Sequence, residues 1–414
     1  MKTRQAQSET GPAAAPADDG GAPPRRGLPL VPLIAPAAFL AVLVGYALWL
    51  GGDFLDGNTR ILDLHQNAPV LLIALGLVIC LIAGQFDLSV ASMATLTAFL
   101  SVGLMTKQGW PPAVALFACL AVAVAGGLFN ALLVVGLRVN AFIATLGSGG
   151  VFLGIAAVYS DGTSLIPDAG NDPGTLPSWF AGPESLTSFQ TKAPTVVVVV
   201  LIAVLVGSLL LTGFERARTS RGRTLVAAGC ALLAAVALAI FVLGDVEVPW
   251  TVVLLLGVTF GLWVLMHYST LGRHLYAVGG NALAARLAGV RANRSTTFVF
   301  VMAAVLAGLA GVVLGGNQGA ASPGAATPYL LPAFAAGFLS TVLFSDGRFH
   351  VWGTLLGGFL IITVAQGLVA GGVPFTWNDV INGLVLIGAV AFQSFFSGDR
   401  GARRSRRRAR AAEA

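Results

Sequence analysis

The chain has 414 residues, of which 56% are hydrophobic and only 10% are charged, with a net charge of +6 and a mean hydropathy of +0.84. Soluble domains carry roughly 25% charged residues, so this composition excludes a soluble protein. It predicts one all-α polytopic membrane domain. The net charge comes mostly from the two ends of the chain, which is typical of cytoplasmic flanks and does not indicate nucleic acid binding.

The two termini differ in composition from the rest of the chain. Residues 1–27 are polar, rich in Pro, Ala and Gly, and end in Arg25 and Arg26, which predicts a disordered cytoplasmic tail. A cleaved signal peptide is excluded, because the basic pair comes late and the following apolar run is long enough to span a membrane. Residues 399–414 contain seven arginines, which predicts a solvated cytoplasmic tail near anionic lipid headgroups; RNA is the alternative ligand.

Residues 28–398 form the predicted transmembrane domain. Apolar runs near the spanning length of about 20 residues recur there and predict about 10–12 transmembrane helices, some broken or re-entrant. The Gly- and Pro-rich stretch GGNQGAASPGAATP disfavours one continuous helix over residues 295–345. We therefore predict a span that ends before Gly316 and a short, re-entrant segment after Pro328. The other predicted spans are 28–52, 68–86, 88–106, 108–137, 139–160, 193–214, 224–244, 248–266, 349–373 and 380–398.

The arginines predict the orientation, because cytoplasmic loops carry an excess of Lys and Arg. Counting alternate spans places every arginine group on one side, including Arg138, Arg348 and the clusters at 216–223 and 273–294. Both termini are therefore expected in the cytoplasm, with the chain in the plasma (inner) membrane.

Asp87 lies in the segment GQFDLSVAS, between two apolar runs. A charge left in lipid costs at least about 2.5 kcal/mol, so this carboxylate must face water, pair or cap a helix. Its position before Ser89 and an apolar run favours a helix N-cap. A compatible alternative is that the break lines the translocation pathway, because irregular backbone at membrane depth is tolerated where it lines a cavity.

The segment 129–162 contains polar residues in apolar surroundings. Such groups usually hydrogen-bond a neighbouring helix, and contact with a substrate is the alternative. The candidate pathway residues are Asp87, Ser89, Asn130, Phe142 and Thr145.

The chain carries no pattern typical of an enzyme. No GxxxxGK[ST] phosphate loop occurs, so we expect no ATPase activity. The cysteines lie inside apolar runs and the histidines are scattered, so no metal site is predicted. No cofactor is expected on this chain.

The segment 272–294, GRHLYAVGGNALAARLAGVRANR, is a basic, helix-forming stretch between two apolar runs. We predict that Gly279 and Gly280 form a turn and that Asn281 caps a short helix, Ala282–Leu287. Such a helix indicates a docking partner. For its arginines the alternative is plain positive-inside anchoring. A second cytoplasmic turn is predicted at Gly347 and Arg348.

Four segments resemble the permease subunits of bacterial ABC importers for pentoses and related monosaccharides, the ribose/xylose permease family. They are GQFDLSVAS, VNAFIATLG, GRHLYAVGGNALAARLAGV and GRFHVWGTLLGG, and with their spacing they cover residues 60–395. Two positions depart from the family pattern, which usually has Gly where Ala91 stands and Pro where Asn140 stands. The extra length at 193–244 resembles the long xylose-type members.

The resemblance implies the ABC-importer permease fold and a set of partners. These are a second permease copy or a sister permease, a separate ATPase that binds ATP and Mg, and an extracytoplasmic sugar-binding protein. This chain would carry out no covalent chemistry. The coupling role would fall on Arg273, Ala277, Gly279, Gly280, Asn281, Ala285, Arg286 and Gly289.

Two rival classes remain. An ion-coupled secondary transporter of a small polar solute would need ionisable residues inside its spans, and only Asp87 lies near membrane depth. A structural membrane protein would need neither the broken span nor the docking helix.

Overall fold

The computed structural model describes residues 31–167, 175–216, 246–343, 347–388 and 390–391. Within these ranges the regular structure is helical, and β pairing is limited to two isolated bridges, Leu165 with Ala321 and Lys192 with Pro249. The predicted tails 1–27 and 399–414 and the predicted span 224–244 lie outside the described residues.

The helices of the described residues are labelled here in chain order. They are α1 (Val31–Leu50), α2 (Gly57–Gln66), α3 (Ala68–Ile82), α4 (Val90–Thr106), α5 (Pro112–Ala131), α6 (Ala141–Tyr159), α7 (Thr195–Arg216), α8 (Trp250–Tyr268), α9 (Thr270–Gly280), α10 (Ala282–Leu287), α11 (Ala292–Gln318), α12 (Leu330–Leu343) and α13 (Val351–Ala370). A π-helical turn, Leu132–Gly136, extends α5, and residues 378–388 are helical.

Several helices are long and apolar enough to cross a membrane. In the described part of the chain there are five, namely α5 with its π turn, α6, α8, α11 and α13, and a sixth if α2 and α3, bent by 61°, form one broken span. Shorter apolar helices accompany them, including α4 and part of α7. The protein is therefore an all-α, multi-pass membrane protein, and the number of spans stays a prediction.

The centre of the bundle is α3, in which every residue is buried. A helix that is apolar on all sides belongs in the interior. The longest helix, α11, packs against α3, α4 and α5, and α12 and α13 cover another side of α3. Glycine allows these close contacts, because a methyl group at Gly127 would overlap the backbone of Val301. By contrast, α5 and α6 expose large apolar side chains, as lipid-facing helices do.

The predicted end of a span before Gly316 is wrong, because α11 continues to Gln318. Side chains at Gly315 and Gly316 would crowd Ser101 and Thr187, so these glycines are held by tertiary packing, which overrides their low helix propensity. The helix ends at Gly319, whose φ of 60° is the left-handed conformation common at helix C-termini.

Candidate functional site

The predicted coupling segment, residues 272–294, lies largely on α9 and α10, and α9 is fixed against the bundle. The hydroxyl of Ser269 accepts a hydrogen bond from the Gly272 amide at 3.0 Å and caps the helix. Gly272, Leu275 and Val278 recur every third residue and are buried, so one face of α9 packs on the bundle. Of the predicted residues on this helix, Arg273 and Ala277 lie on the exposed side.

The short helix α10 is present where the sequence predicted it. The Asn281 side chain accepts a hydrogen bond from the Ala284 amide at 3.0 Å and caps the helix. The helix ends before Gly289, whose φ of +84° is readily adopted only by glycine. Its role in receiving a partner stays a prediction.

One face of α10 is apolar and open to the surroundings. Ala285 is its buried residue, whereas Leu283 and Leu287 are 69% and 83% exposed. Residues four apart lie on the same face of a helix, so the two leucines form a small apolar patch. The sequence analysis missed them, although their i, i+4 spacing is a signal that could have found them. Arg286 lies between them in sequence, and its guanidinium donates to Asn293 Oδ1 at 3.4 Å.

The predicted turn at Gly279 and Gly280 is wrong. Both residues belong to the last turn of α9, neither has a positive φ, and the chain changes direction at Asn281, where the backbone is extended. A methyl group at Gly279 would overlap the carbonyl oxygen of Ile82, whereas a methyl group at Gly280 would have no other atom within 4 Å. The absence of a side chain at Gly279 thus serves packing, not a turn.

The coupling segment touches the linker that carries Asp87. Gly279 packs on the end of α3, and a Cβ at Gly84 would lie 3.5 Å from the Gly279 Cα. Gly84 has a φ of +73° and lies near the start of the linker 83–89 between α3 and α4. The two backbones are therefore in direct contact, although about 195 residues separate them in sequence.

Asp87 is fully buried and does not cap α4, which corrects the N-cap prediction. The N-cap position belongs to Ser89, and α4 starts at Val90. The Asp87 Oδ1 accepts hydrogen bonds from the Ser89 amide at 2.9 Å and from the Ser89 hydroxyl at 2.6 Å. The carboxylate lies two residues before the N-cap, so it closes a local turn and does not reach the free amides of the first helical turn.

Four of the five candidate pathway residues form one network. Asn130 Nδ2 donates to Ser89 Oγ at 2.8 Å, and the Leu88 amide donates to Thr145 Oγ1 at 3.0 Å. The network ties the Asp87 linker to α5 and α6. These contacts support the interpretation that the polar groups join neighbouring helices. Phe142 lies apart from them and is 52% exposed.

The network is not fully satisfied. The second carboxyl oxygen of Asp87 and the side-chain oxygen of Asn130 are buried and have no hydrogen-bond partner among the described residues. Leaving a buried acceptor unpaired costs about 1–3 kcal/mol. The network therefore keeps two buried acceptors without a partner among the described residues.

The turn at Gly347 and Arg348, which the sequence predicts to be cytoplasmic, also contacts α9. Gly347 has a φ of +71°, and beyond it the Tyr276 hydroxyl donates to the Phe349 carbonyl at 3.0 Å. Arg348 is exposed, and it lines a cavity together with Arg273. The sequence pattern contains no signal for the contribution of Tyr276.

Polar cavities lie at the opposite end of the bundle. One, of about 410 Å³, is lined by residues that include His65, Phe189 and Asn317, and another, of about 170 Å³, by residues that include Asn67 and Tyr329. Amides, hydroxyls and aromatic rings are the groups that bind polar solutes. Among the described residues, no group of three His, Cys, Asp or Glu side chains could hold a metal ion.

The chain is similar to known permeases over most of its length. Residues 64–390 match the family model described as branched-chain amino acid transport system / permease component. The xylose transport system permease protein XylH of Escherichia coli (strain K12) is 28% identical over 386 residues, which cover 91% of this chain and 94% of that protein. The ribose import permease protein RbsC of Bacillus subtilis (strain 168) is 29% identical over 357 residues, 86% of this chain and 91% of that protein.

A third relative is named for another cargo. The autoinducer 2 import system permease protein LsrC of Enterobacter sp. (strain 638) is 29% identical over 357 residues, covering 86% of this chain and 84% of that protein. No solved structure gives a significant match.

Proposed function

The chain belongs to the family of branched-chain amino acid transport system permease components, and we propose that it is the permease subunit of an ABC importer for a monosaccharide. A pentose such as xylose or ribose is the proposed cargo. Two relatives named for these sugars align with this chain over at least 86% of its length. ATP and Mg bind to a separate ATPase subunit, and this chain forms the path for the sugar.

The observation that carries the proposal is the apolar patch of Leu283 and Leu287 on α10. An exposed apolar pair on a helix outside the spanning segments marks an interaction surface. The helix is too short to be stable alone, and it is presented by its Asn281 cap and by α9. We assign the patch to the ATPase.

The contacts of α9 give the route by which the ATPase acts on the bundle. Movement of α10 passes to α9, and from Gly279 to the end of α3 and the linker 83–89. The Asp87 network then connects this linker to α4, α5 and α6. Packed contacts of this kind transmit displacement because protein interiors are close-packed and not compressible. Shifting α3 relative to α5 and α6 would open or close the cytoplasmic end.

The remaining partners occupy other faces. Both termini and the coupling segment are cytoplasmic in this proposal, as the arginine distribution predicts. An extracytoplasmic sugar-binding protein then meets the end with the polar cavities. A second copy of the chain, or a sister permease, completes the pore.

Reconstitution tests this function. The chain, the ATPase that co-purifies with it and the binding protein are placed in proteoliposomes, and uptake of labelled xylose, ribose and leucine is measured. We expect pentose uptake that requires ATP and is unaffected by an ionophore. Uptake driven by an ion gradient without ATP would instead support a secondary transporter, and uptake of leucine alone would overturn the sugar assignment.

A further inference from the structure

A polar cavity, called the amide cavity here, lies at the end of the bundle opposite to α10. Its volume is about 170 Å³, and it lies between the start of α3, the start of α12, the second half of α13 and the helical residues 378–388. The polar side chains that line it are Asn67, Tyr329, Gln366, Asn378, Asp379 and Asn382. Four carboxamides at one place are a local concentration of polar groups in a chain that is 56% hydrophobic.

Two interruptions of the helices meet at the amide cavity. Asn67 lies between α2 and α3, where the pair bends by 61°. Tyr329 ends a short 3₁₀ turn, Thr327–Tyr329, that leads into α12. In a membrane protein, interrupted helices are tolerated where they are buried in protein or line a water-filled cavity. Because residues at both breaks line the amide cavity, the second case applies here.

Several polar groups of the cavity are available to a ligand. The side chains of Tyr329, Gln366 and Asn382 are partly exposed and form no hydrogen bond with the rest of the described chain. Asn67 donates through Nδ2 to the Asp63 carbonyl at 2.9 Å, and its Oδ1 is not used. None of these unused atoms is fully enclosed by protein, so a solute in the cavity can reach them.

The charge of the cavity distinguishes between classes of solute. Of the residues known to line it, Asp379 alone is charged, and none is Lys, Arg or His. An amino acid or a sugar phosphate would bring an anionic group to a place without a cation, and removing an unpaired charge from water is costly. Carboxamides, a phenol and a carboxylate are instead suited to hydroxyl groups, which both donate and accept hydrogen bonds. The lining therefore favours a neutral solute with several hydroxyls.

From these observations we propose that the amide cavity binds the sugar itself, as a neutral pentose, on its way through the permease. The carboxamides of Gln366 and Asn382 each offer a donor and an acceptor to the sugar hydroxyls, the Tyr329 hydroxyl adds a third contact, and Asp379 accepts from a hydroxyl. This inference rests on the proposed function. It deepens that function by giving the sugar a recognition site on this chain as well as on the extracytoplasmic binding protein.

The position of the cavity connects it to the coupling segment. Asn67 immediately precedes α3, whose 15 residues extend over about 22 Å to Ile82. Gly279 of α9 packs against the carbonyl of Ile82 at that far end. A sugar in the amide cavity and an ATPase on α10 would therefore act on opposite ends of the same buried helix.

The test measures binding to the purified full chain in a polyoxyethylene detergent, whose headgroup is not a sugar. Radiolabelled xylose, ribose, leucine and ribose 5-phosphate are bound in a scintillation proximity assay, and competition with the unlabelled compounds gives their apparent affinities. We expect saturable binding of at least one of the two pentoses. Leucine and ribose 5-phosphate should bind more weakly, because each carries an anionic group.

Variants locate the site. Gln366→Met with Asn382→Leu keeps the side-chain sizes and removes the polar groups, so the affinity for the pentose should fall by about tenfold or more. Tyr329→Phe removes one hydroxyl, and a fall of about two- to fivefold is expected even if the double variant does not fold. The matched control is Gln190→Met with Gln318→Met, two exposed glutamines of the other polar cavity, and it should bind like the unaltered chain. Thermal unfolding shows whether each variant is folded.

Three outcomes would overturn the proposal. The first is the absence of saturable pentose binding to the unaltered chain, or unchanged affinity in both the Gln366/Asn382 and the Tyr329 variants. The second is an equal loss of affinity in the control variant, which would place the sugar elsewhere. The third is tighter binding of ribose 5-phosphate than of either pentose, which would contradict the argument from charge.

Uptake separates a failure of this site from a failure of the transport function. If pentose uptake in proteoliposomes requires ATP but none of the variants of the amide cavity alters pentose binding, the site is wrong and the proposed function stands. If leucine binds and is taken up while neither pentose is, the proposed function fails together with the site.

Discussion

The two ends of the helical bundle are built in different ways. At the end of the bundle that carries α9 and α10, which the proposed topology places in the cytoplasm, helices meet backbone to backbone at Gly279 and Ile82, and a buried hydrogen-bond network surrounds Asp87. The contacts at the opposite end, called the outer end here, include exposed ion pairs, such as Lys107 with Asp161 at 3.9 Å, and open polar cavities. A close-packed contact passes on a displacement, whereas an exposed ion pair contributes about 0–1 kcal/mol and yields easily. The difference fits the proposal that force enters at the end that carries α9 and α10.

The largest effect is expected at two adjacent glycines of that end. Gly279→Val would force a branched side chain into the backbone of α3, and overpacking of this kind typically costs about 1–3 kcal/mol. We expect a lower unfolding temperature, reduced membrane abundance and loss of uptake. The measurement is size-exclusion chromatography and thermal unfolding of the solubilised chain, together with sugar uptake.

Gly280→Val is the matched control for folding and a test of docking. This position has open space around it, so the bundle should fold normally. A bulky residue there should still weaken co-purification of the ATPase and uncouple ATP hydrolysis from sugar uptake. If Gly280→Val and Gly279→Val have the same unfolding temperature, the packing role of Gly279 is wrong. If Gly280→Val binds its ATPase and transports normally, this part of the loop does not face the partner.

The next effect concerns the apolar patch. Leu283→Ser combined with Leu287→Ser removes exposed apolar surface without disturbing buried residues, so folding should be retained. Recovery of the ATPase with the permease should fall about tenfold, which corresponds to a loss of about 1.4 kcal/mol in docking. The control at the other end is Leu186→Ser, which also alters an exposed leucine. Equal ATPase recovery for both variants would show that the patch is not part of the interface with the ATPase.

Asp87→Asn should reduce uptake more than it reduces abundance. Asparagine keeps an acceptor for the Ser89 amide, so the local turn is preserved, whereas the negative charge inside the network is lost. We expect a several-fold lower uptake rate per folded molecule, measured by transport normalised to membrane abundance. Asp161→Asn is the control, because that carboxylate is exposed at the outer end. Unchanged uptake for Asp87→Asn would mean that the charge has no role in transport.

The smallest effect is expected from an ion pair at the outer end. Lys192 and Glu247 form a partly exposed salt bridge, which should contribute about 1 kcal/mol or less. Lys192→Met combined with Glu247→Gln should shift the unfolding temperature by only a few degrees and leave the uptake rate within about twofold of that of the unaltered chain. A loss of uptake as large as that expected for Asp87→Asn would contradict the difference between the two ends.

Local features of the fold were predictable from the sequence, and long-range contacts were not. The short helix α10 and its Asn281 cap follow from residue types within a few positions of one another. The roles of Gly279 and Asp87 depend on contacts between distant parts of the chain, such as the Leu88 amide and Thr145, which are 57 residues apart. For the same reason α11 passes through glycines that would end an isolated helix. No local pattern carries that information.

The central claim is that docking of the ATPase at α10 changes the conformation of the linker 83–89, which carries Asp87. Hydrogen exchange of the permease bound to its ATPase, with and without a non-hydrolysable ATP analogue, tests it most directly. The Leu88 and Ser89 amides are hydrogen-bonded to Thr145 and Asp87, so their exchange reports on the network. We expect the nucleotide to change exchange in 269–291 and in 83–90 together, and to change neither in the Leu283/Leu287 variant. A change confined to 269–291, with 83–90 unaffected, would contradict the claim.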